Sequence, residues 1–280
     1  MKHILAFVVL TIGSCFPTFC QLKAQKPLPK KKLSFPNRPR FPKLPYIGTK
    51  EFEALLSRAI IIDARNHIEY EVIHIKGAIN LPVGKMKKKD LKKIRGPRGS
   101  APIVFYCNGT TCQKSYKAGE KARIWGWKNF FVYDSGVFHW TQAHPETVLF
   151  FGKPMDKKTL EKIANRKELE HVSLSPQGFA KKVFSNQGYK IYDLRDRKER
   201  AEFPLRLPRV AKLNMDRFVQ ALKKNRIRKN KLLIFDTSGK QVKWLQFYLE
   251  QHGVKDYWLL KGGVLAWKKA GLDARGKPGK

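Results

Sequence analysis

Cysteine is scarce in this 280-residue chain: four occur, at positions 15, 20, 107 and 112. Cys15 and Cys20 fall in an N-terminal stretch with the pattern of a cleavable leader, so cleavage at or after residue 20 leaves only Cys107 and Cys112. Two cysteines cannot build a disulfide scaffold or a four-ligand zinc site. Chemistry explains a close-set pair better. Long apolar runs are also lacking. The Ile4–Ile12 run is too short to span a bilayer comfortably and suits the apolar segment of a secretory signal. Acidic residues are few, 22 against 58 Lys and Arg, for a formal net charge of +36. A hydrophobic fraction of 42% nevertheless excludes a disordered chain and supplies packed cores.

The leader has two readings. Ile12-Gly13-Ser14-Cys15 resembles a bacterial lipobox, which would leave Cys15 lipidated, whereas ordinary cleavage would follow a small residue such as Ala24. Either reading puts the mature protein outside the cytosol, in the periplasm or otherwise exported. Positive charge concentrates between Lys85 and Arg98. Clustered Lys and Arg are one footprint of nucleic-acid binding. No helix-turn-helix, zinc finger or single-strand-binding aromatic motif accompanies the cluster, so no nucleic-acid partner is expected. A solvated basic face, attraction to anionic lipid headgroups, or steering of small anions accounts for it instead. Lys26–Pro45 mixes prolines with basic residues and reads as an extended tether with no core of its own.

Ile103-Val104-Phe105-Tyr106 reads as a buried parallel strand, and the polar, Gly-containing run from Cys107 to Gln113 reads as a tight turn into a helix. A thiol at the carboxyl end of such a strand faces the turn amides and the positive end of the next helix. That field stabilises a sulfur anion and is expected to lower the Cys107 pKa.

Two stretches of the chain read alike. Ile60-Ile61-Ile62-Asp63-Ala64-Arg65 is matched by Ile191-Tyr192-Asp193-Leu194-Arg195, and the Cys107 strand by Leu232-Leu233-Ile234-Phe235-Asp236. Asp63 and Cys107 are 44 positions apart, Asp193 and Asp236 are 43, and Gly126–Trp140 and Gly253–Trp267 both span 14. Short apolar strands alternate with helical segments such as Ser115–Ile124 and Lys240–Gln251, which predicts parallel sheets with crossover helices on both faces. Each unit is expected to open on a capped helix, behind Thr49 and behind Ser175-Pro176. The predicted organisation is a leader (1–25), a tether (26–45), a first α/β unit (46–145) and a connection with a helix over 156–164 (146–170). A second α/β unit (171–273) and a basic tail (274–280) complete it. His74 and His139 read as fold residues beside turns, and Trp140 and Trp267 as matching core residues.

Asp63-x-Arg65, His74-x-x-Gly77-Ala78-x-Asn80-x-Pro82, the Cys107 loop and Gly136-x-x-x-Trp140 together resemble the rhodanese (thiosulfate sulfurtransferase) superfamily. The resemblance covers Pro45–Ala143 and, more weakly, Val172–Leu272. It implies two tandem rhodanese-like domains of α/β class, the first carrying the cysteine. It also implies sulfur transfer through a Cys107 persulfide, from thiosulfate or another sulfane-sulfur donor to a thiophilic acceptor such as cyanide or a thiol. Asn108, Gly109, Thr110, Thr111, Cys112 and Gln113 become the substrate-binding loop, with Lys114 as an anion contact or a solvated helix residue. Asp63 and Arg65 take a supporting role. No cofactor and no metal are implied.

Asp236 replaces the cysteine in the second unit. A carboxylate cannot form a persulfide and would repel thiosulfate, so that unit is expected to be silent and to pack against the first. From Cys107 to Gly126 is 19 positions and from Asp236 to Gly253 is 17, so the first loop or helix start is longer by two residues. Cys112 lies in that longer region. It either resolves a Cys107 persulfide as a disulfide or merely packs under the loop. Phosphatases of this fold need an arginine six positions after the cysteine to hold phosphate; Gln113 stands there. The remaining alternatives are a non-catalytic sulfur carrier serving a partner in the cell envelope, and a basic adhesion protein using the units as scaffold. Association with a membrane would be peripheral or through lipidated Cys15.

Overall fold

Residues 33–96, 99–164, 171–185, 187–273 and 275–277 are described by a computed structural model. The leader, Cys15 and the tether up to residue 32 lie outside the described residues. So do 165–170 of the connection, and 274 and 278–280 of the tail.

The first half runs α1 (Thr49–Leu55), β1 (Ile60–Asp63), α2 (His67–Val72), β2 (Ile73–Ile75), β3 (Ile79–Asn80) and α3 (Lys88–Arg95). It continues through β4 (Ile103–Tyr106), α4 (Lys114–Ile124), β5 (Phe130–Tyr133), α5 (Gly136–Ala143), β6 (Val148–Phe150), β7 (Lys153–Pro154) and α6 (Lys157–Ala164). The second half runs β8 (Ser173–Leu174), α7 (Pro176–Phe184), β9 (Lys190–Asp193), α8 (Arg197–Glu202), β10 (Val210–Lys212) and α9 (Met215–Lys223). It closes with β11 (Leu232–Phe235), α10 (Val242–Gln251), β12 (Tyr257–Leu260) and α11 (Gly263–Lys269).

Each half builds a parallel sheet, ordered β3-β1-β4-β5 in the first and β10-β9-β11-β12-β8 in the second. The central strands β1, β4 and β11 are buried along their whole length, which is why they read as unbroken apolar runs. At the far edge Tyr46 bridges Val132 in parallel, the place that β8 takes beside β12. The two parallel sheets make this an α/β fold with helices on both faces. Trp140 and Trp267 are fully buried at equivalent points of α5 and α11.

Three local expectations are corrected. Residues 34–45 do not hang free: the folded unit starts at Ser34, Leu44 is buried, and the Tyr46 hydroxyl donates to the Phe41 carbonyl at 2.7 Å. Prolines there set a bent, packed path, because apolar Phe41 and Leu44 punctuate them and join the first core. Thr49 is not the cap of α1, which is Gly48; the Thr49 hydroxyl instead pairs with the Tyr133 hydroxyl at 3.1 Å. Ser175 does cap α7, accepting from the Gly178 amide at 3.1 Å. The connection is not wholly a linker, since β6 and β7 pair antiparallel with β2 in a three-stranded sheet. That sheet holds His74, whose Nδ1 lies 2.8 Å from the Tyr70 carbonyl oxygen and whose ring stacks on Tyr70.

The halves share one core. Apolar residues of β1, β4 and α5 are continuous with those of α9 and α10. Phe138 stacks on Trp244 with centroids 5.4 Å apart, and Phe151 meets Tyr248 edge-on at 5.0 Å. Glu71 on α2 accepts from the Tyr248 hydroxyl at 2.9 Å and pairs with Lys223. Among the described residues no helix is long and apolar enough to cross a membrane.

Candidate active site

Cys107 follows β4 directly and is fully buried, while Cys112, five positions on, is half-buried. The loop between them turns tightly, with the Cys112 amide donating to the Gly109 carbonyl at 2.9 Å. Gly136, the first residue of α5, packs against it. Gly136 has φ +76°, and a Cβ there would lie 2.2 Å from the Gly109 nitrogen. Only a residue without a side chain lets the backbones approach so closely. The following Val137 amide donates to the Cys107 carbonyl at 2.9 Å.

Cys107 Sγ lies 3.4 Å from the Cys112 carbonyl oxygen and 3.1 Å from Ser115 Oγ. Burial pushes the Cys107 thiol well above its ordinary range, and its hydrogen bond to Cys112 adds to this. Cys112 moves the other way, down to about 6. The hydrogen bond from Cys107 is the largest cause; burial opposes it, and the Lys114 and Asn108 amides with the Lys114 charge complete the shift. The expectation of a lowered Cys107 pKa is therefore corrected. At Cys107 burial outweighs the contacts with Ser115, which favour the thiolate.

The loop is held on two sides. On one, Asp63 and Arg65 form a fully buried pair, with Arg65 Nε 2.9 Å from Asp63 Oδ1 and Nη2 2.6 Å from Oδ2. Arg65 Nη1 donates to Asn108 Oδ1 at 3.1 Å, and Nη2 donates to the Ile73 carbonyl at 2.5 Å. Burial alone would lower the guanidinium pKa, but the Asp63 charge outweighs it and the net direction is up. Trp244 from the second half caps this guanidinium, its ring centroid 5.4 Å from Cζ. Glu69 completes the side: it caps α2 reciprocally with Asn66, accepts from Asn108 Nδ2 at 2.8 Å, and pairs with Lys114. Burial pushes its carboxyl up, yet the Lys114 and Arg65 charges prevail and hold it below the ordinary carboxylate range. Lys114 is thus neutralised by Glu69, which corrects its reading as an anion contact.

On the other side lies the segment read as a tether. Buried Asn37 donates to the Thr110 carbonyl at 3.2 Å and accepts from Gln113 Nε2 at 3.2 Å. Arg38 grips buried Asp134 through Nε at 2.8 Å and Nη2 at 3.0 Å, and the Tyr116 hydroxyl donates to the same carboxylate at 2.8 Å. Thr111 is exposed at the loop tip. Sequence reasoning missed Asn37, Arg38, Glu69, Ser115 and Asp134. Only Glu69 had a local signal, the Asn66-x-x-Glu69 capping box.

The second loop, one residue shorter before its helix, is braced alike and has a different occupant. Gly263, with φ +61°, supports it as Gly136 supports the first, and the Val264 amide donates to the Asp236 carbonyl at 3.0 Å. Buried Asp236 turns its carboxylate into the loop and accepts from the amides of Ser238 at 3.0 Å, Gln241 at 2.7 Å, Val242 at 3.2 Å, and Gly239. The loop is an anion cradle filled by its own side chain. Asp193 and Arg195 repeat the buried pair, with Nη2 to Oδ2 2.7 Å. Thr237 stands where Asn108 would be and bonds Glu199 instead, at 2.8 Å.

Residues 49–143 match the family model for the Rhodanese-like domain. Over 83 residues the chain is 35% identical to an HTH-type transcriptional regulator of Mycobacterium tuberculosis, covering 30% of this chain and 34% of that protein. Over 134 residues it is 31% identical to the tRNA uridine(34) hydroxylase of Salmonella arizonae, covering 43% of this chain and 36% of that protein. The chain thus spans about a third of the length of these curated relatives. Among solved structures, a thiosulfate sulfurtransferase from Pseudomonas aeruginosa is 18% identical with a TM-score of 0.39, covering 81% of this chain and 43% of that one.

Proposed function

Residues 49–143 place this chain in the rhodanese superfamily, and from that premise we propose that it transfers sulfane sulfur through the Cys107–Cys112 loop. One observation carries the reading: at the end of a buried parallel strand, two free thiols lie in one tight loop, with Cys107 Sγ 3.4 Å from the Cys112 carbonyl oxygen. Cys107 carries the sulfur. Its proton passes to the Cys112 thiolate, and the Cys107 thiolate attacks the outer sulfur of thiosulfate or a persulfide donor. With thiosulfate, sulfite leaves with the electron pair of the broken S–S bond, and Cys107 is left as a persulfide. A thiol or cyanide acceptor then takes the outer sulfur and returns the thiolate.

Lys114 is occupied by Glu69, so the loop amides and the amino end of α4 supply the stabilisation of charge. The second half contributes no chemistry, because Asp236 fills the equivalent cradle; its part is to pack Trp244 onto Arg65. The protein works outside the cytosol, a placement supported by Lys2 and the apolar run Ile4–Ile12 and by the lipobox-like Cys15.

Intact-mass measurement and a sulfite assay after thiosulfate, and again after cyanide, test this. The expected result is one equivalent of sulfite per chain, with the sulfur either held as a mass gain that cyanide removes or discharged as hydrosulfide, and neither with Cys107→Ser. Sulfite release by Cys107→Ser, or none by the native protein, overturns the assignment. The same spectrum reads the processed N-terminus and any acyl chain on Cys15. Full burial of Cys107 favours a second reading, a sulfur carrier that loads once for a partner. Thiocyanate formed in a single equivalent, without turnover, would select it.

A further inference from the structure

We infer that Cys112 is a resolving thiol, so that the loop discharges sulfane sulfur as hydrosulfide and closes as a Cys107–Cys112 disulfide. The inference rests on the sulfur-transfer reading above and adds a second activity to the same loop, a persulfide reductase. Three features of the pair point to it.

The two cysteines lie five positions apart in one tight turn, and Cys107 Sγ lies 3.4 Å from the Cys112 carbonyl oxygen. An attack between them therefore needs no closure of a long loop. The two thiols differ in exposure and in pKa: Cys107 is fully buried and pushed up, whereas Cys112 is half-buried and drawn down. A second thiol beside the one that holds sulfur is, once deprotonated, the nucleophile that thiol–disulfide exchange requires. Finally, the second loop shows what the backbone does in the absence of a thiol pair. There a single carboxylate takes four amides and no second reactive group is present, so Cys112 belongs to the loop that works on sulfur.

The step balances as follows. Cys112, protonated during loading, passes that proton to the outer sulfur of the Cys107 persulfide; its thiolate attacks Sγ, the bond from Sγ to the outer sulfur breaks, and hydrosulfide leaves with that electron pair. One disulfide forms, the two cysteine sulfurs are together oxidised by two electrons, and the sulfane sulfur is reduced by two. An external dithiol reductant restores the pair. With thiosulfate as donor the products are sulfite and hydrosulfide.

The test uses the reduced full-length protein with thiosulfate alone, followed by a sulfide assay and intact mass. The expected result is one equivalent of hydrosulfide per chain, a mass lower by two hydrogens, and no retained sulfur, at a rate independent of protein concentration. Dithiothreitol should then permit a second equivalent. Cys112→Ser, which lacks the group that takes the Cys107 proton, should load sulfur more slowly, release no hydrosulfide and keep the sulfur on Cys107 as a stable persulfide. A native protein that retains the sulfur, without hydrosulfide or disulfide, overturns the resolving role while leaving sulfur transfer intact. Hydrosulfide release by Cys112→Ser at the native rate also overturns it. Failure of both proteins to take up sulfur strikes instead at the sulfur-transfer reading on which the inference stands.

Discussion

Replacing Arg65 and Arg195 by methionine, one at a time, separates the structural task of these paired residues from their task at the loop. Each guanidinium is essentially fully buried against an equally buried aspartate. Removing either leaves an uncompensated carboxylate in the interior and should cost about 3–5 kcal/mol, a large fraction of the roughly 5–15 kcal/mol that holds a domain folded. Urea unfolding should therefore report similar losses for the two variants. The chemistry should differ. Arg65 reaches Asn108 in the Cys107 loop at 3.1 Å, whereas Arg195 has no such contact and donates to the Phe203 carbonyl. In Arg65→Met, the stranded Asp63 charge opposes a nearby thiolate. One uncancelled charge at roughly 10 Å, with an effective dielectric near 20, is worth about one pKa unit. The pH dependence of iodoacetamide alkylation should have its midpoint near 6 in the native protein, where the Cys112 thiolate reacts. It should be unchanged in Arg195→Met and displaced upward by about one unit in Arg65→Met. Equal profiles for the two variants, or a downward shift in Arg65→Met, would refute the coupling of the buried pair to the loop.

Three further outcomes follow from the same geometry. Glu69→Gln should cost about 2 kcal/mol at neutral pH, between a buried and a surface ion pair, because the Lys114 side chain is 35% exposed and can rehydrate. The Glu69 carboxyl is held below its ordinary 4.5, so its contribution is present above that value and fades as pH falls through the lowered one. The melting-temperature gap between native and variant protein should narrow correspondingly in acid, and a gap that widens there contradicts the assignment. Asp236→Ala leaves four amides without an acceptor and should lower stability by about 2–4 kcal/mol, with water offsetting part of the loss. Sulfate or thiosulfate should restore the melting temperature of this variant selectively, and no rescue would mean that the second loop is not an anion cradle. Gly136→Ala should abolish sulfur loading, since its Cβ would meet the Gly109 nitrogen at 2.2 Å. Gly126→Ala, at φ +78° with open space around it, should cost only about 1–2 kcal/mol and load normally.

The strands and helices were legible because their signals are local. Ile103–Tyr106 and Leu232–Phe235 read as buried parallel strands, and the structure has strands with those bounds. Ser175 announced its helix through a side chain that reaches an amide three residues on. Thr49 carried the same signal and misled, because its hydroxyl had a partner 84 positions away in Tyr133. The tether misled for a related reason. Proline and lysine describe a chain without regular structure, but they do not reveal that Asn37 and Arg38 dock on the Cys107 loop and on Asp134. Contacts between residues so far apart in sequence leave no periodicity to read.

By itself the sequence determined the repeated α/β architecture, the strand-end position of Cys107, and the replacement of that cysteine by Asp236, all properties of residue order and spacing. The tertiary structure alone decided how charge is distributed in the loop. A thiol's pKa depends on which amides point at it and how much water remains, and these are set by a turn folded over Gly136 and clamped by Arg65, Glu69 and Asn37. Through that packing Cys107 is pushed up and Cys112 drawn down, and the carboxylate of Asp236 occupies the second cradle.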